Sequence, residues 1–250
     1  MQTERDLDRW IADLEARHLR ELTFAEVSRS LRALSATYVE SRHRLGRGAA
    51  LSGAGKRAAF ALFYGPLHFL LVREIAAKLA GKSNASVLVD LGCGSGAAGA
   101  ACAIGSANWP KVVGIDRHPW AVKEAVSTYR AFGLAGRARV GDVSAVELPT
   151  GPAAFVAAFV LNELPDESRD RLLRRLIDRA QRGDHVLIVE PLAGFVAPWW
   201  GRWQQAVEDV GGRSDEWRVR APLPEIVLKL DRAAGLNHRE ITGRSLWLGG

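Results

Sequence analysis

Three glycines and three aspartates carry the most legible chemistry in this sequence. The segment Val87-Leu-Val-Asp90-Leu-Gly92-Cys93-Gly94-Ser-Gly96 reads as a short strand that runs into a glycine-rich turn, with a helix starting near Ala97. Glycines there permit a sharp turn and let a ligand approach the backbone without meeting a Cβ. Asp90 precedes Gly92 by two residues, Asp116 follows it by 24, and Asp142 lies in Gly-Asp-Val-Ser. Each aspartate ends a candidate strand. Acids at the carboxyl ends of successive strands converge on the crevice where open α/β sheets bind ligands. Asp116 stands at about the offset from which an acid reaches ribose hydroxyls, and Asp142 is placed to accept from an exocyclic adenine amine.

Glycine spacing alone does not choose the nucleoside, because Gly92, Gly94 and Ala97 also satisfy the dinucleotide fingerprint. The carboxylates decide. At Asp90 a pyrophosphate would meet repulsion, whereas S-adenosylmethionine brings a sulfonium, an ammonium and no phosphate. An acidic site suits that ligand better than NAD. Cys93 sits inside the loop, and a small buried thiol is the expected state for it.

The elements that must position these residues follow from periodicity. Val87–Asp90, Val112–Asp116, Ala138–Gly141, Phe155–Val160 and Val186–Glu190 are short apolar runs separated by segments rich in Ala, Arg and Leu. This alternation predicts right-handed βαβ units and a mainly parallel sheet. Further on, Leu223–Ala234 reads as a helix, and His238–Ile241 with Ser245–Leu248 as a hairpin around Gly243. Upstream, apolar residues from Leu7 to Leu34 recur at helical spacing and predict two or three helices. Residues 41–55 contain four glycines and no acid, a flexible basic loop. Helix resumes from Phe60 to Ala80, with a kink expected at Gly65-Pro66.

Composition narrows the setting. The 250 residues are 48% hydrophobic and 25% charged, the balance of a packed globular chain. The charged N-terminus does not read as a signal peptide, and the longest apolar stretch, Ala58–Val72, is broken by Gly65, Pro66 and His68, so no membrane anchor is expected. Cys93 and Cys102 fit neither a disulfide framework nor a metal pair, which points to a reducing cytoplasm. A net charge of +6 is compatible with a polyanionic partner.

Over residues 85–190 the sequence resembles the class I S-adenosylmethionine-dependent methyltransferases. That resemblance implies an α/β fold: a Rossmann-like, mainly parallel seven-stranded sheet with helices on both faces. Residues 81–250 would form the cofactor-binding domain, and residues 1–80 a helical N-terminal extension and lid. It also implies roles. Asp90, Gly92, Gly94 and Gly96, with Cys93 among them, would surround the methionine portion, Asp116 the ribose, and Asp142 with Val143 the adenine. Arg117 would pack beside the adenine ring, and Phe159 after the fourth strand joins the cofactor-binding set.

Phe155-Val-Ala-Ala-Phe-Val-Leu-Asn-Glu-Leu-Pro165 and His185-Val-Leu-Ile-Val-Glu-Pro-Leu-Ala-Gly-Phe195 resemble more closely the methyltransferase-like proteins of the mitochondrial small ribosomal subunit, a family with bacterial members. Fuller members carry a cysteine cluster able to hold a metal centre. This chain lacks those cysteines, so no metal is expected.

Methyl transfer is an in-line displacement at carbon in which positioning supplies most of the rate, so a base is not obligatory. The Asn-Pro-Pro-Tyr type motif of base methyltransferases is replaced by Asn162-Glu163-Leu164-Pro165, and no catalytic residue is assigned. Asn162 and Glu163 read as caps. His68 reads as a structural histidine rather than a base. Trp199, Trp200 and Trp203 fit core packing and an acceptor wall equally, and the arginines from 169 to 182 read as a solvated helix face. The expected acceptor is RNA, foremost ribosomal RNA, and the expected partner RNA or the ribosomal small subunit; the alternatives are a small-molecule acceptor or a non-catalytic assembly factor.

Overall fold

The computed structural model describes residues 2–40, 51–79, 85–106, 108, 110–192 and 197–249. Seven strands form one sheet in the order β3-β2-β1-β4-β5-β7-β6. The parallel part comprises β1 (Val87–Leu91), β2 (Lys111–Asp116), β3 (Gly136–Val140), β4 (Ala154–Ala158) and β5 (His185–Glu190). The expected Rossmann-like fold is therefore present. β1 pairs with β2 on one side and β4 on the other, with Asp90 opposite Gly114 and Val156. The chain order reverses between β1 and β4, so a crevice opens at their carboxyl ends.

The C-terminal end departs from expectation. In place of a hairpin around Gly243, residues 241–248 form one continuous strand, β7 (Ile241–Leu248), antiparallel to β5 and to β6 (Arg213–Val219). Gly243 is a packing glycine: a Cβ there would lie 2.7 Å from Leu71 Cδ2. β6 escapes periodicity because it is an edge strand in which only Trp217 is buried. The expected helix after Leu223 is α9 (Glu225–Ala233).

Helices α5 (Ala97–Gly105), α6 (Pro119–Ala131), α7 (Asp166–Gln181) and α8 (Trp200–Glu208) follow strands β1, β2, β4 and β5. Upstream lie α1 (Gln2–His18) and α2 (Phe24–Glu40), the latter opened by a capping box between Thr23 and Glu26. α3 (Ala54–Ala59), a π-helical turn (Phe60–Tyr64) and α4 (Gly65–Leu79) then run on without a break. The π-turn has a local cause, since Pro66 lacks the N–H of a regular ladder and the bond shifts to Gly65 N–H donating to Phe60 O. By length and composition this 26-residue run could cross a membrane, but 72% of its apolar window is buried inside the protein, and the run packs mainly against α5 and α2.

The N-terminal helices share one core with the sheet. Trp10 is fully buried between Phe69 and Phe132, and its Nε1 donates to Thr128 Oγ1 on α6 at 3.1 Å. Arg17 forms a two-pronged pair with the buried Glu124, both contacts at 2.8 Å. Burying an aromatic of this size contributes about 1.5–3 kcal/mol, and the charge-assisted fork adds direction. The extension is thereby fixed to α6, beside the glycine loop. Of the expected basic loop over 41–55, residues 41–50 lie outside the described residues. Gly55 lets α3 approach α2, for a Cβ would lie 2.3 Å from Ser30 Oγ.

Candidate active site

The loop after β1 is built as a glycine device. Gly92, Gly94 and Gly96 have φ of 72°, 49° and 78°, a region that side chains resist. Space forbids a Cβ as well: at Gly92 it would lie 2.2 Å from Val160 Cγ2, and at Gly96 2.8 Å from Ala125 Cα. Gly92 and Cys93 N–H donate to Ile115 O, tying the loop to the end of β2. Asp116 completes the tie by accepting from Gly94 N–H at 2.9 Å and His118 N–H at 2.8 Å. Each of its carboxylate oxygens has further lone-pair capacity for a ligand hydroxyl.

A cleft of about 530 Å³ opens over this loop. Gly92, Asp116, Arg117, Asp142 and Val143 all line it, so five of the ten expected cofactor residues meet there. Asp142 accepts from Ser144 N–H and Oγ, which hold its carboxyl below the usual range. Arg117 pairs with Glu163 at 2.6 Å across the cleft from the 3-10 turn at Leu161–Glu163. Burial pushes Glu163 up to about 7 despite that arginine. Gly141, Ser144, Val160, Leu164, Pro165 and Ser168, with Asn162, complete the wall; the turn signal of Gly-Asp-Val-Ser pointed to Gly141 and Ser144.

The other five expected residues lie off the cleft wall. Asp90 is buried beneath the loop, where its Oδ2 accepts from Gly99 N–H and Tyr129 O–H, each at 3.0 Å. Burial pushes its pKa up to about 7, and the charge of Asp116 pushes the same way. Asp90 thus braces the loop from below, which removes the basis for a direct contest with a pyrophosphate. Cys93 is likewise buried, its thiol raised by burial and by Asp90. Gly94 faces the extension, with the Phe60 ring 3.3 Å from a would-be Cβ, and Gly96 caps α5.

Phe159 turns toward the extension. It is the one non-glycine residue with positive φ among the described residues, at 59°. Its ring stacks on His68 with centroids 3.8 Å apart and planes 14° apart. Phe60 and Tyr64 of the π-turn flank His68 at 6.2 and 6.0 Å, and Trp120 lies 6.4 Å from Phe60. An aromatic cluster from the extension therefore packs against Gly94 and the end of β4, apart from the residues that line the cleft.

The opposite side is a polar lattice. Glu190, fully buried at the end of β5, accepts from Leu161 N–H at 2.9 Å and Asn162 Nδ2 at 2.7 Å. Asn162 Oδ1 in turn accepts from Trp199 Nε1 at 3.0 Å. Burial pushes Glu190 up to about 8, against the pull of Leu161 N–H and Arg244. Trp199, Trp200 and Trp203 are core residues, with Arg169 over Trp199 and Arg244 over Trp200.

The arginines of α7 are not simply a solvated face. Arg169 is buried and donates to Leu161 O and Leu164 O, Arg175 to Ser144 O and Val146 O, and Arg179 to Pro149 O, Gly151 O and the buried Asp184. Arg175 and Arg179 staple the loop that carries Asp142 and Val143, and Arg169 the turn after β4. Among the described residues no cluster of metal-ligating side chains is present.

Residues 88–183 match the family model described as a methyltransferase domain. The plantazolicin methyltransferase BpumL, solved with a monoazolic desmethylPZN analog and SAH, superposes with a TM-score of 0.53 at 10% identity, over 91% of this chain and 98% of that one. The mitomycin 7-O-methyltransferase MmcR superposes at 0.52 and 16% identity, over 96% and 72%. An rRNA methylase from Streptococcus thermophilus gives 0.43 at 15% identity, over 71% and 94%. No curated protein matches the sequence. The glycine loop, the carboxylates of the cleft and the strand order agree with that match to a methyltransferase domain over residues 88–183 and with S-adenosylmethionine as the cofactor.

Proposed function

We propose that the protein transfers the methyl group of S-adenosylmethionine to a small planar acceptor held between the cofactor cleft and the aromatic face of the extension. One observation carries this reading: Phe60 packs on Gly94 and His68 on Phe159, so that aromatic rings stand beside the glycine loop and the end of β4. A flat apolar molecule gains from stacking on such a surface. The extension is also part of what this chain shares with the mitomycin and plantazolicin enzymes, each superposed over more than 90% of it. In this reading the cofactor's adenosine lies along Asp116, Arg117, Asp142 and Val143. The sulfonium departs as a neutral thioether while the chain orients the acceptor.

RNA is the second reading, favoured by the net charge of +6 and by the resemblance to the mitochondrial small-subunit proteins. Part of that resemblance has a structural cause. In Val-Leu-Asn-Glu-Leu-Pro and Val-Glu-Pro, Asn162 and Glu190 bind one another and brace a turn, which any chain with this turn can use. The Gly194-Phe195 portion of the motif lies outside the described residues. We also propose a cytoplasmic location, on the strength of two buried free cysteines.

The test is transfer of tritiated methyl groups into cell extract separated into RNA and a protein-free fraction below 3 kDa. Label in the small-molecule fraction is expected. Label confined to RNA, and lost on nuclease treatment, would overturn the proposal in favour of the second reading.

A further inference from the structure

We infer that Glu163 is a positioning residue for the cofactor: from the turn after β4 it reaches across the cleft and holds the Arg117 guanidinium as a roof over the adenine. This rests on the placement of the adenosine along Asp116, Arg117, Asp142 and Val143 given above, and adds to it the residue that fixes the outer side of that subsite.

The first ground is the bridge itself. Arg117 Nη2 donates to Glu163 Oε2 at 2.6 Å, and both residues line the cleft, one directly after β2 and the other in the 3-10 turn Leu161–Glu163. Val143 of the same lining is buried, whereas the Arg117 side chain is 42% exposed and that of Glu163 22%. The bridge therefore runs on the solvent side of the cleft. Glu163 is its anchored end, and Arg117 the arm that extends over the opening.

The second ground is how the acids of the cleft are committed. Asp116 accepts from Gly94 N–H and His118 N–H, and Asp142 from Ser144 N–H and Oγ. Those bonds hold each aspartate to backbone near the glycine loop or to its own turn. Glu163 differs, because its side chain is spent on a residue 46 positions away, on the facing wall. Enclosing a carboxylate disfavours its charged form, and burial raises Glu163 to about 7 against the pull of Arg117. The acid thus works against its own surroundings, and Arg117 is the group that offsets them.

The third ground is what a held guanidinium can do. An arginine at an exposed strand end samples many rotamers, and one tied to a carboxylate has lost that freedom before a ligand arrives, which lowers the ordering cost of binding. The guanidinium is planar and charged, and it stacks on aromatic faces, nucleobases included. A lysine in the same place supplies the charge without the plane.

The experiment is calorimetric titration of the full chain with S-adenosylhomocysteine in wild type, Glu163→Ala, Arg117→Ala, the double variant and Arg117→Lys. Glu163→Ala and Arg117→Ala should each raise the dissociation constant by about 3- to 10-fold, the range for a cation over an aromatic ring. Arg117→Lys should weaken binding nearly as much as Arg117→Ala. Coupling is the readout that a merely structural glutamate would not move. In the Arg117→Ala background, adding Glu163→Ala should change the constant by less than about twofold, because no roof is left to hold. Should Glu163→Ala fail to fold, Glu163→Gln, which keeps the shape and gives up the charge, is read by the same comparisons. Factors that multiply in the double variant, an unchanged constant in Glu163→Ala, or wild-type affinity in Arg117→Lys would overturn the inference and leave the cofactor cleft standing. No binding of S-adenosylhomocysteine by wild type would instead overturn the placement of the cofactor, and this inference with it.

Discussion

The two walls of the cleft are made by different physics. On the α7 side, Arg169, Arg175 and Arg179 bind loop carbonyls, and Glu190, Asn162 and Trp199 form a chain of directed hydrogen bonds. On the extension side, Phe60, Tyr64, His68 and Phe159 meet through ring faces and edges, and the Tyr64 hydroxyl pairs with that of Ser35. Directed bonds fix atoms within tenths of an ångström, because a hydrogen bond weakens steeply with angle. Ring contacts tolerate sliding at little cost. In the proposed reading, the first side is preorganised for one invariant ligand, the adenosine of the cofactor, and the second is where acceptor specificity is adjusted.

The largest effect is expected from Gly92→Val on the rigid wall. The new side chain collides with Val160 and demands a φ that valine resists, so affinity for S-adenosylhomocysteine should fall by more than about 100-fold in calorimetry. Retained affinity would break the reading of the loop. Next, Arg179→Ala leaves Asp184 and two carbonyls without their partner and should cost about 3–5 kcal/mol in urea unfolding. Phe60→Leu, its counterpart on the soft wall, should cost about 1 kcal/mol. Equal costs would erase the distinction between the walls.

Asp116→Ala should weaken S-adenosylhomocysteine binding by about 1–3 kcal/mol, with part of the loss reflecting the freed Gly94 N–H. Unchanged affinity in a folded variant would remove Asp116 from the site. A smaller effect is expected from pH. Asp90, Glu163 and Glu190 are raised to about 7, 7 and 8, so each holds its proton more tightly folded than unfolded. Their contribution is full below the unfolded values near 4 and is lost as pH rises through 7 to 8. His68, lowered to about 3, runs the other way: its contribution is full above about 6.5 and is lost as pH falls toward 3. Stability should therefore drop by about 3 kcal/mol between pH 6.5 and 8, and Glu190→Gln should flatten that drop. An unchanged slope in the variant would show that Glu190 does not titrate there.

Much of this was legible before any coordinates, and unevenly so. The parallel strands announced themselves because buried strands are short, β-branched and bounded by turns, and the loop because three glycines follow a strand. β6 was hidden because an edge strand needs few apolar residues, and β7 was misread because Gly243 looks like a turn when it is a contact with Leu71. Of the aspartates, sequence spacing located the strand ends correctly but could not say which way each side chain points. Asp116 and Asp142 face the cleft, whereas Asp90 faces α5 and α6. The aromatic face was illegible for a different reason: it joins residues 60, 68 and 159 across the fold, and no local pattern encodes such a contact.

Calorimetric titration of the full chain with S-adenosylhomocysteine and, separately, with NAD tests the cofactor cleft most directly. Saturable binding of S-adenosylhomocysteine at one site per chain, with no heat from NAD, is the predicted result. Binding of NAD, or no binding of S-adenosylhomocysteine by the folded protein, would contradict it.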